Sequence, residues 1–166
     1  MADRVEDLSG LPQSSVGAPL PIVIADEKDT YVAYLVENTP EGWDGSTVRT
    51  LDYGSDESVA IVHFRSAHAT KFGPPNDEAF AGHPLAAKGL RPYGAFRIYE
   101  SSWIRELERM NAVHPYHQPE RFDALQHVIL TFHDSTFEVV AEDFSVETVS
   151  GPLRGAVETI SQRVVS

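Results

Sequence analysis

The chain contains no cysteine, which excludes disulfide frameworks, thiolate-bound zinc or iron–sulfur centres and thiol nucleophiles. It is also poor in basic residues: 13 Lys and Arg stand against 25 Asp and Glu, a formal charge of −12 with histidine neutral. Neutralising many phosphates requires the opposite excess, so general nucleic-acid binding and an anionic membrane surface are both disfavoured. No apolar run is long enough to span a bilayer. The opening Met1-Ala2-Asp3-Arg4-Val5-Glu6-Asp7 is acidic where a secretory leader is basic and then apolar. A cytoplasmic protein is expected. Neither G-x-x-x-x-G-K-[ST] nor G-x-G-x-x-G occurs, and no G-x-S-x-G elbow presents a serine nucleophile. No self-similarity at a solenoid or propeller period is present.

What is there is ordinary globular composition, 42% hydrophobic and 23% charged over 166 residues, enough for one core. Residues 1–21 read as a flexible N-terminal arm, because Gly10, Pro12, Gly17, Pro19 and Pro21 interrupt any regular element. Residues 22–166 read as a single globular domain. Short β-branched and aromatic runs at 22–25 and 31–37 flank the polar turn 26–29 and predict a hairpin. A loop with Pro40, Gly42 and Gly45 leads to a predicted strand near 47–51. Another strand is expected at 59–65, with Ile61, His63 and Arg65 on one face and Ala60, Val62 and Phe64 on the other. Pro84 and Gly89 bracket a one-turn helix, and 93–100 reads as a strand. Ser101 or Ser102 caps a helix through about 113, with Trp103, Ile104, Leu107 and Met110 on its apolar face. Strands at 127–133, 136–141 and 144–149 precede a C-terminal helix marked by Val157, Ile160 and Val164. The expected fold is α+β: a mainly antiparallel sheet, sandwich or half-barrel, with two or three short helices, one near 102–113 and one C-terminal.

The pair 127–133 and 136–141 permits a sharper geometric expectation. An even-numbered loop that sets Phe132 opposite Phe137 places Val128, Leu130, Phe132, Phe137, Val139 and Ala141 on one face. The other face then carries His127, Ile129, Thr131, His133, Thr136, Glu138, Val140 and Glu142, with His133 and Glu138 as cross-strand neighbours. An antiparallel sheet commonly leaves such a face in water, which is the plain alternative to a site.

Charge is unevenly spread: residues 1–60 carry −9, residues 61–125 carry +1 and residues 126–166 carry −4. Five of the seven histidines lie in the middle block, with Arg65, Lys71, Lys88, Arg91 and Arg97. That block also holds Phe72-Gly73-Pro74-Pro75-Asn76-Asp77-Glu78, followed by Ala79-Phe80-Ala81-Gly82-His83-Pro84-Leu85. Paired prolines stiffen a loop that presents Asn, Asp, Glu and His, which lowers the reorganisation cost of a site. Locally, Asn76 or Asp77 is also suited to cap a turn, and His83 to cap the turn at Pro84.

Histidine spacing matches no linear metal motif, and His114 and His117 beside Pro115 read as a helix exit. A discontinuous centre of two histidines and a carboxylate remains open. It would draw on His63, His68, His83 and His133 with Asp77, Glu78 or Glu138, and the preferred ligands for one divalent metal ion are His63, His83 and His133. Trp43, in a Gly-flanked acidic loop, is a candidate ligand or partner contact.

The leading expectation is a small enzyme using histidine and carboxylate acid–base chemistry, with or without that metal. His133, Glu138, His83 and Glu78 would be catalytic, and Arg65, Lys71 and Asn76 would hold a small polar or anionic substrate. The alternative is a non-catalytic acidic interaction module, such as an inhibitor, immunity-type or accessory protein. It would bind a basic protein partner through residues 1–60, including Asp44, Asp52, Asp56 and Glu57. A small-ligand carrier would share the pocket without a titrating base. A homodimer is the base expectation for any oligomer.

Overall fold

The computed structural model describes residues 2–38 and 51–164. Trp43, Asp44, the loop at 40–45 and nearly all of the strand expected at 47–51 lie outside the described residues. Among those described, nine strands form two antiparallel sheets. They are β1 (Arg4–Asp7), β2 (Ile22–Ala25), β3 (Thr30–Leu35), β4 (Ser58–Arg65), β5 (Ala69–Gly73), β6 (Gly94–Tyr99), β7 (Gln126–Thr131), β8 (Thr136–Ala141) and β9 (Asp143–Ser150). The helices are α1 (Ser102–Asn111), the single turn α2 (Glu120–Asp123) and α3 (Leu153–Val164). The fold is α+β, with one longer helix near the centre of the chain and one toward its C-terminus. No helix among the described residues is long and apolar enough to cross a membrane.

The five-stranded sheet runs β1-β6-β7-β8-β5 and the four-stranded sheet β2-β3-β4-β9. Alternation decides which side chains meet between them. Val32, Tyr34, Ala60, Val62 and Phe64 from one sheet pack on Val128, Leu130, Phe137, Val139 and Ala141 from the other. Complete burial of side chains such as Phe64 or Phe137 contributes about 1.5–3 kcal/mol each. Two corners join the sheets. β4 passes into β5, and β8 into β9, through neighbouring short connections held by His68 N–H to Val140 C=O at 2.7 Å and Glu142 N–H to Arg65 C=O at 3.1 Å.

Neither outer face is left to water. α3 lays Leu153, Ala156 and Ile160 over Ala33, Leu35, Val59 and Ile61 on the four-stranded sheet. On the five-stranded sheet, Phe80, Leu85 and Leu90 cover Phe96, Ile98 and Ile129. Beside them, Trp103, Ile104 and Leu107 of α1 join Phe122, Leu125 and Val140. The loop from 74 to 93 thus behaves as a lid of short 3-10 turns, Phe80–Gly82 and Ala86–Lys88. Gly89 ends the second turn in the left-handed region at φ 102°, where a side chain is disfavoured.

Three expectations need correction. Residues 1–21 are not a free arm throughout: β1 pairs with β6, and Asp3 accepts from Ser102 N–H at 2.5 Å and Ser102 Oγ at 2.8 Å. The glycines and prolines that argued for an arm begin only after this strand. Second, Phe72 and Gly73, expected in a loop, complete β5, whose exposed side chains give little hydrophobic signal for an edge strand. Third, the β7–β8 register differs by two residues. Leu130 faces Phe137 and Thr131 faces Thr136. Phe132 N–H donates to Ser135 C=O at 2.9 Å, so His133 and Asp134 alone form the tip of the turn. A shift of two preserves every face, but it puts Ile129 rather than Thr131 opposite Glu138, so that His127 replaces His133 as a diagonal neighbour of the carboxylate.

Candidate functional site

Covering the outer face of the five-stranded sheet obliges its polar residues to find partners, because an unpaired buried carboxylate or imidazole is costly. Glu138 on β8 points into that layer. His83 Nε2 lies 3.0 Å from its Oε2, and His127 Nε2 lies 2.9 Å from its Oε1. The two histidine side chains are 5% and 4% exposed and the glutamate 14%, so the cluster is sheltered. No buried side-chain nitrogen or oxygen among the described residues lacks a partner.

The outer nitrogens assign the tautomers. His83 Nδ1 accepts the Leu85 N–H at 3.0 Å, so in the neutral ring the proton sits on Nε2 and is donated to Glu138. His127 Nδ1 lies 2.8 Å from Ser101 Oγ, which also accepts the Ile104 N–H at 3.2 Å as the N-cap of α1. Ser101 donates its hydroxyl proton to His127, whose Nε2–H completes the pair on Glu138. Burial pushes the Glu138 carboxyl up, but hydrogen bonds from His127 and His83, reinforced by their electrostatic attraction, win and bring it down to about 2. Ser101, His127 and Glu138 follow one another as in a hydrolytic triad. Ser101 is only 4% exposed and is committed to a helix cap, which withholds it from substrate.

A second group lies at the tip of the β7–β8 turn. Tyr93 donates its phenolic proton to Asp77 Oδ2 in a short hydrogen bond. Tyr93 Oη is also 3.2 Å from His133 Nδ1, and with its only proton engaged it acts there as acceptor. His133 therefore carries its neutral proton on Nδ1, with Asp77 Oδ2 3.1 Å away, and keeps a lone pair on Nε2. The His133 side chain is 39% exposed. Tyr93 holds the Asp77 carboxyl below its ordinary value, opposed by desolvation and aided by His133. The same bond, with burial and the charges of Asp77, Asp134 and Glu78, pushes the Tyr93 phenol up to about 12.

The loop is tied to this turn at several points. Asp77 N–H donates to His133 C=O at 2.9 Å, and Thr136 Oγ donates to Pro75 C=O at 2.9 Å. Asn76 Oδ1 caps the following turn through Ala79 N–H at 2.9 Å. The Tyr93 backbone, at φ 62°, is held in the left-handed region where non-glycine residues are uncommon.

The expected residues are thus redistributed. His133, Asp77, Glu138 and His83 belong to one loop-and-sheet assembly, while Glu78 is exposed at its edge and Asn76 is a turn cap. Lys71 faces Glu138 across the β5–β8 ladder, with Nζ 4.1 Å above the Trp103 ring. Arg65 is elsewhere, bonded to Asp143 at 2.7 Å and Ser145 at 3.0 Å. His63 lies on the outer face of the opposite sheet, stacked on Tyr31 with centroids 4.2 Å apart and 3.1 Å from Asp29. His68 is exposed against the edge of Phe122.

His63, His83 and His133 consequently do not converge, and among the described residues no group of three His, Asp or Glu side chains has a metal-binding arrangement. The donor chemistry agrees at His83. A ring whose Nδ1 accepts a backbone N–H has its Nε2 protonated and offers no lone pair to a metal. Sequence reasoning missed Tyr93, His127 and Ser101 as parts of this assembly. Only His127 left a signal, its place on the Glu138 face. No protein-family model, curated protein sequence or solved structure matches the chain.

Proposed function

We propose that this protein is a small enzyme in which His133 acts as a general base on a small polar substrate. The observation that carries the reading is the 39% exposed His133 side chain, whose Nε2 lies 3.8 Å from Asp134 Oδ1, opposite an Nδ1 held by Tyr93 and Asp77. When Nε2 takes a proton from substrate or from a water molecule, the imidazolium charge is met by the Asp77 carboxylate. Tyr93 keeps that carboxylate anionic and in place. A base of this kind supplies roughly 10²–10⁴-fold in rate. Glu138, with His83 and His127, anchors the loop that presents Asp77 and does not itself exchange protons with substrate.

Arg65 and Lys71 are absent from this turn, whereas Glu78 and Asp134 are its exposed neighbours. The reading therefore favours a neutral or cationic substrate over an anion. The alternative, an acidic module for a basic partner, draws on charge alone. Of its proposed residues, Asp52 is occupied in a turn with Gly54 and Ser55, and Asp44 lies outside the described residues.

The test uses diethyl pyrocarbonate and a panel of neutral and cationic 4-nitrophenyl esters. His133 is expected to be the most rapidly carbethoxylated histidine. His133→Gln and Asp77→Asn are each expected to lower ester turnover by at least about tenfold. Slow modification of His133, with turnover equal to that of the unaltered protein in both variants, overturns the proposal.

A further inference from the structure

We propose that the outer face of the four-stranded sheet carries a second site, a stacking slot beside His63 that takes a nucleobase or nucleoside. Three residues stand in a row across neighbouring strands: Tyr31 on β3 is opposite His63 on β4, and His63 is opposite Ser145 on β9. The Tyr31 and His63 rings are stacked, with centroids 4.2 Å apart and 9° between their planes. Neighbouring strands are about 4.8 Å apart, so a third ring would continue the stack above the next residue of the row. That residue is an exposed serine, too short to fill the place. Among the described residues β9 is the edge strand of this sheet, which opens the place to solvent. A pocket of about 280 Å³ lies there, lined by Ile61, His63, Ser145, Val146, Glu147 and Arg163.

The wall of the slot is held in place before any ligand arrives. Tyr31 is buried in the layer beneath α3 and backs one face of the His63 ring. Asp29 Oδ1, 3.1 Å from Nε2, fixes the rotation of that ring. A quarter of the His63 side chain stays exposed and lines the pocket. Along the β4–β9 ladder an ion pair stands on either side of the His63–Ser145 pair. Arg65 Nε donates to Asp143 at 2.7 Å on one side, and Arg163, in the last turn of α3, is bonded to Glu147 on the other.

These groups define the chemistry of the occupant. Ser145 Oγ accepts from Arg65 Nη1 at 3.0 Å, which leaves the serine's own proton for a ligand. Glu147, a carboxylate with several lone pairs, accepts. A ring seated over Ser145 therefore meets a donor and an acceptor along its edge, the complement of an aromatic amine beside a ring nitrogen. The amino group donates to Glu147 and the ring nitrogen accepts from Ser145. Both arginines are matched by carboxylates, so the slot has no excess positive charge for a phosphate, in keeping with the net charge of −12. The volume falls just short of the roughly 300 Å³ at which sites for drug-sized ligands begin, and suits one fused ring. The slot is on the opposite sheet from His133 and does not rest on the reading of that residue.

Titration of the ¹⁵N-labelled protein with adenine, adenosine and adenosine monophosphate, followed by NMR, tests the slot. Adenine and adenosine are expected to give saturable shifts of the Ser145 and Glu147 amides and of the His63 ring, with a Kd on the order of 0.1–1 mM. The monophosphate is expected to bind no more tightly than adenosine. His63→Ala removes the stacking wall and should weaken binding by about 5- to 150-fold. Ser145→Phe keeps His63 but carries a ring of its own into the slot from an exposed edge position, and is expected to abolish the shifts. Should His63→Ala fail to fold, Ser145→Phe and the shifts of the unaltered protein decide alone. The slot is overturned by the absence of saturable shifts at His63 and Ser145 up to about 10 mM adenosine, or by unchanged affinity in Ser145→Phe. Binding of the monophosphate at least about tenfold tighter than adenosine overturns it as well, because phosphate would then be the group recognised. Every readout is of binding, and none depends on turnover.

Discussion

Replacing Glu138 by Gln removes one charge from a cavity built to hold it while conserving shape. The carboxylate accepts from His83 and His127, and its pKa falls from 4.5 to about 2 against the opposing effect of burial. Through linkage, a displacement of that size corresponds to about 3 kcal/mol of stability at neutral pH. An independent route gives a similar figure: in Glu138→Gln one charge-assisted bond becomes an ordinary one from His83, and the other must reverse, the new amide donating to His127 Nε2 while its Nδ1–H turns to Ser101, which together lose about 2–3 kcal/mol. For a chain of this size, the midpoint of thermal unfolding should drop by roughly 6–12 °C. The pH dependence carries the sign. Because the folded pKa is depressed, the contribution of Glu138 is complete above about 4.5 and disappears as pH falls toward about 2. Urea unfolding of the unaltered protein and of Glu138→Gln should therefore give curves separated by about 3 kcal/mol near neutrality that converge through this window. A separation below about 0.5 kcal/mol at neutral pH, or one that stays constant down to about pH 2, refutes the argument.

Ser101→Ala removes both the cap of α1 and the donor to His127, and should cost about 1–3 kcal/mol in urea unfolding, more than an isolated cap loss. Gly151→Ala would place a Cβ 2.6 Å from the Glu57 carbonyl oxygen and 2.7 Å from its nitrogen. It should destabilise by about 1–3 kcal/mol, measured the same way, because backbone rather than a yielding side chain is met. Tyr93→Phe takes away the hydrogen bond that holds Asp77 down, so the Asp77 carboxyl should titrate higher than in the unaltered protein by ¹³C NMR. The same substitution should lower ester turnover while leaving the Leu85 amide protected at neutral pH.

The fold was legible where one face of an element is apolar and the other is not. The alternation of Ala60, Val62 and Phe64 against Ile61 and His63 appears unchanged in β4, and Ser101 caps α1 as its place before Trp103 and Ile104 implied. The inward face of β7 and β8 was also legible, since an even loop of any length preserves it. Loop length was not, because neither His133 nor Asp134 announces a tight turn as an Asn-Gly pair would. That two-residue difference separated His133 from Glu138 and concealed His127 as its partner. Asn76 and Asp77 are equally placed by the sequence to cap the turn; Asn76 fills that role, and this frees Asp77 for Tyr93. Contacts between Tyr93, Asp77 and His133 join residues 16 and 40 positions apart. Local periodicity contains no information about such meetings.

The strand order has a bearing on the time course of folding. Among the described residues only β2–β3 and β7–β8 are short hairpins, while β1 pairs with β6, β5 with β8, and β4 with β9, joining Arg4 to Tyr99, Ala69 to Val140 and Ser58 to Ser150. Each of these ladders closes a long loop before it gains a hydrogen bond, which places the chain among slow folders of high contact order. During synthesis β4 has no partner on one side until residues 143–150 have emerged, and the apolar stripe beneath α3 is uncovered until residues 153–164 follow. A nascent chain paused before that point displays an apolar strand edge to its neighbours, and its yield is governed by the rate at which the last ladder closes.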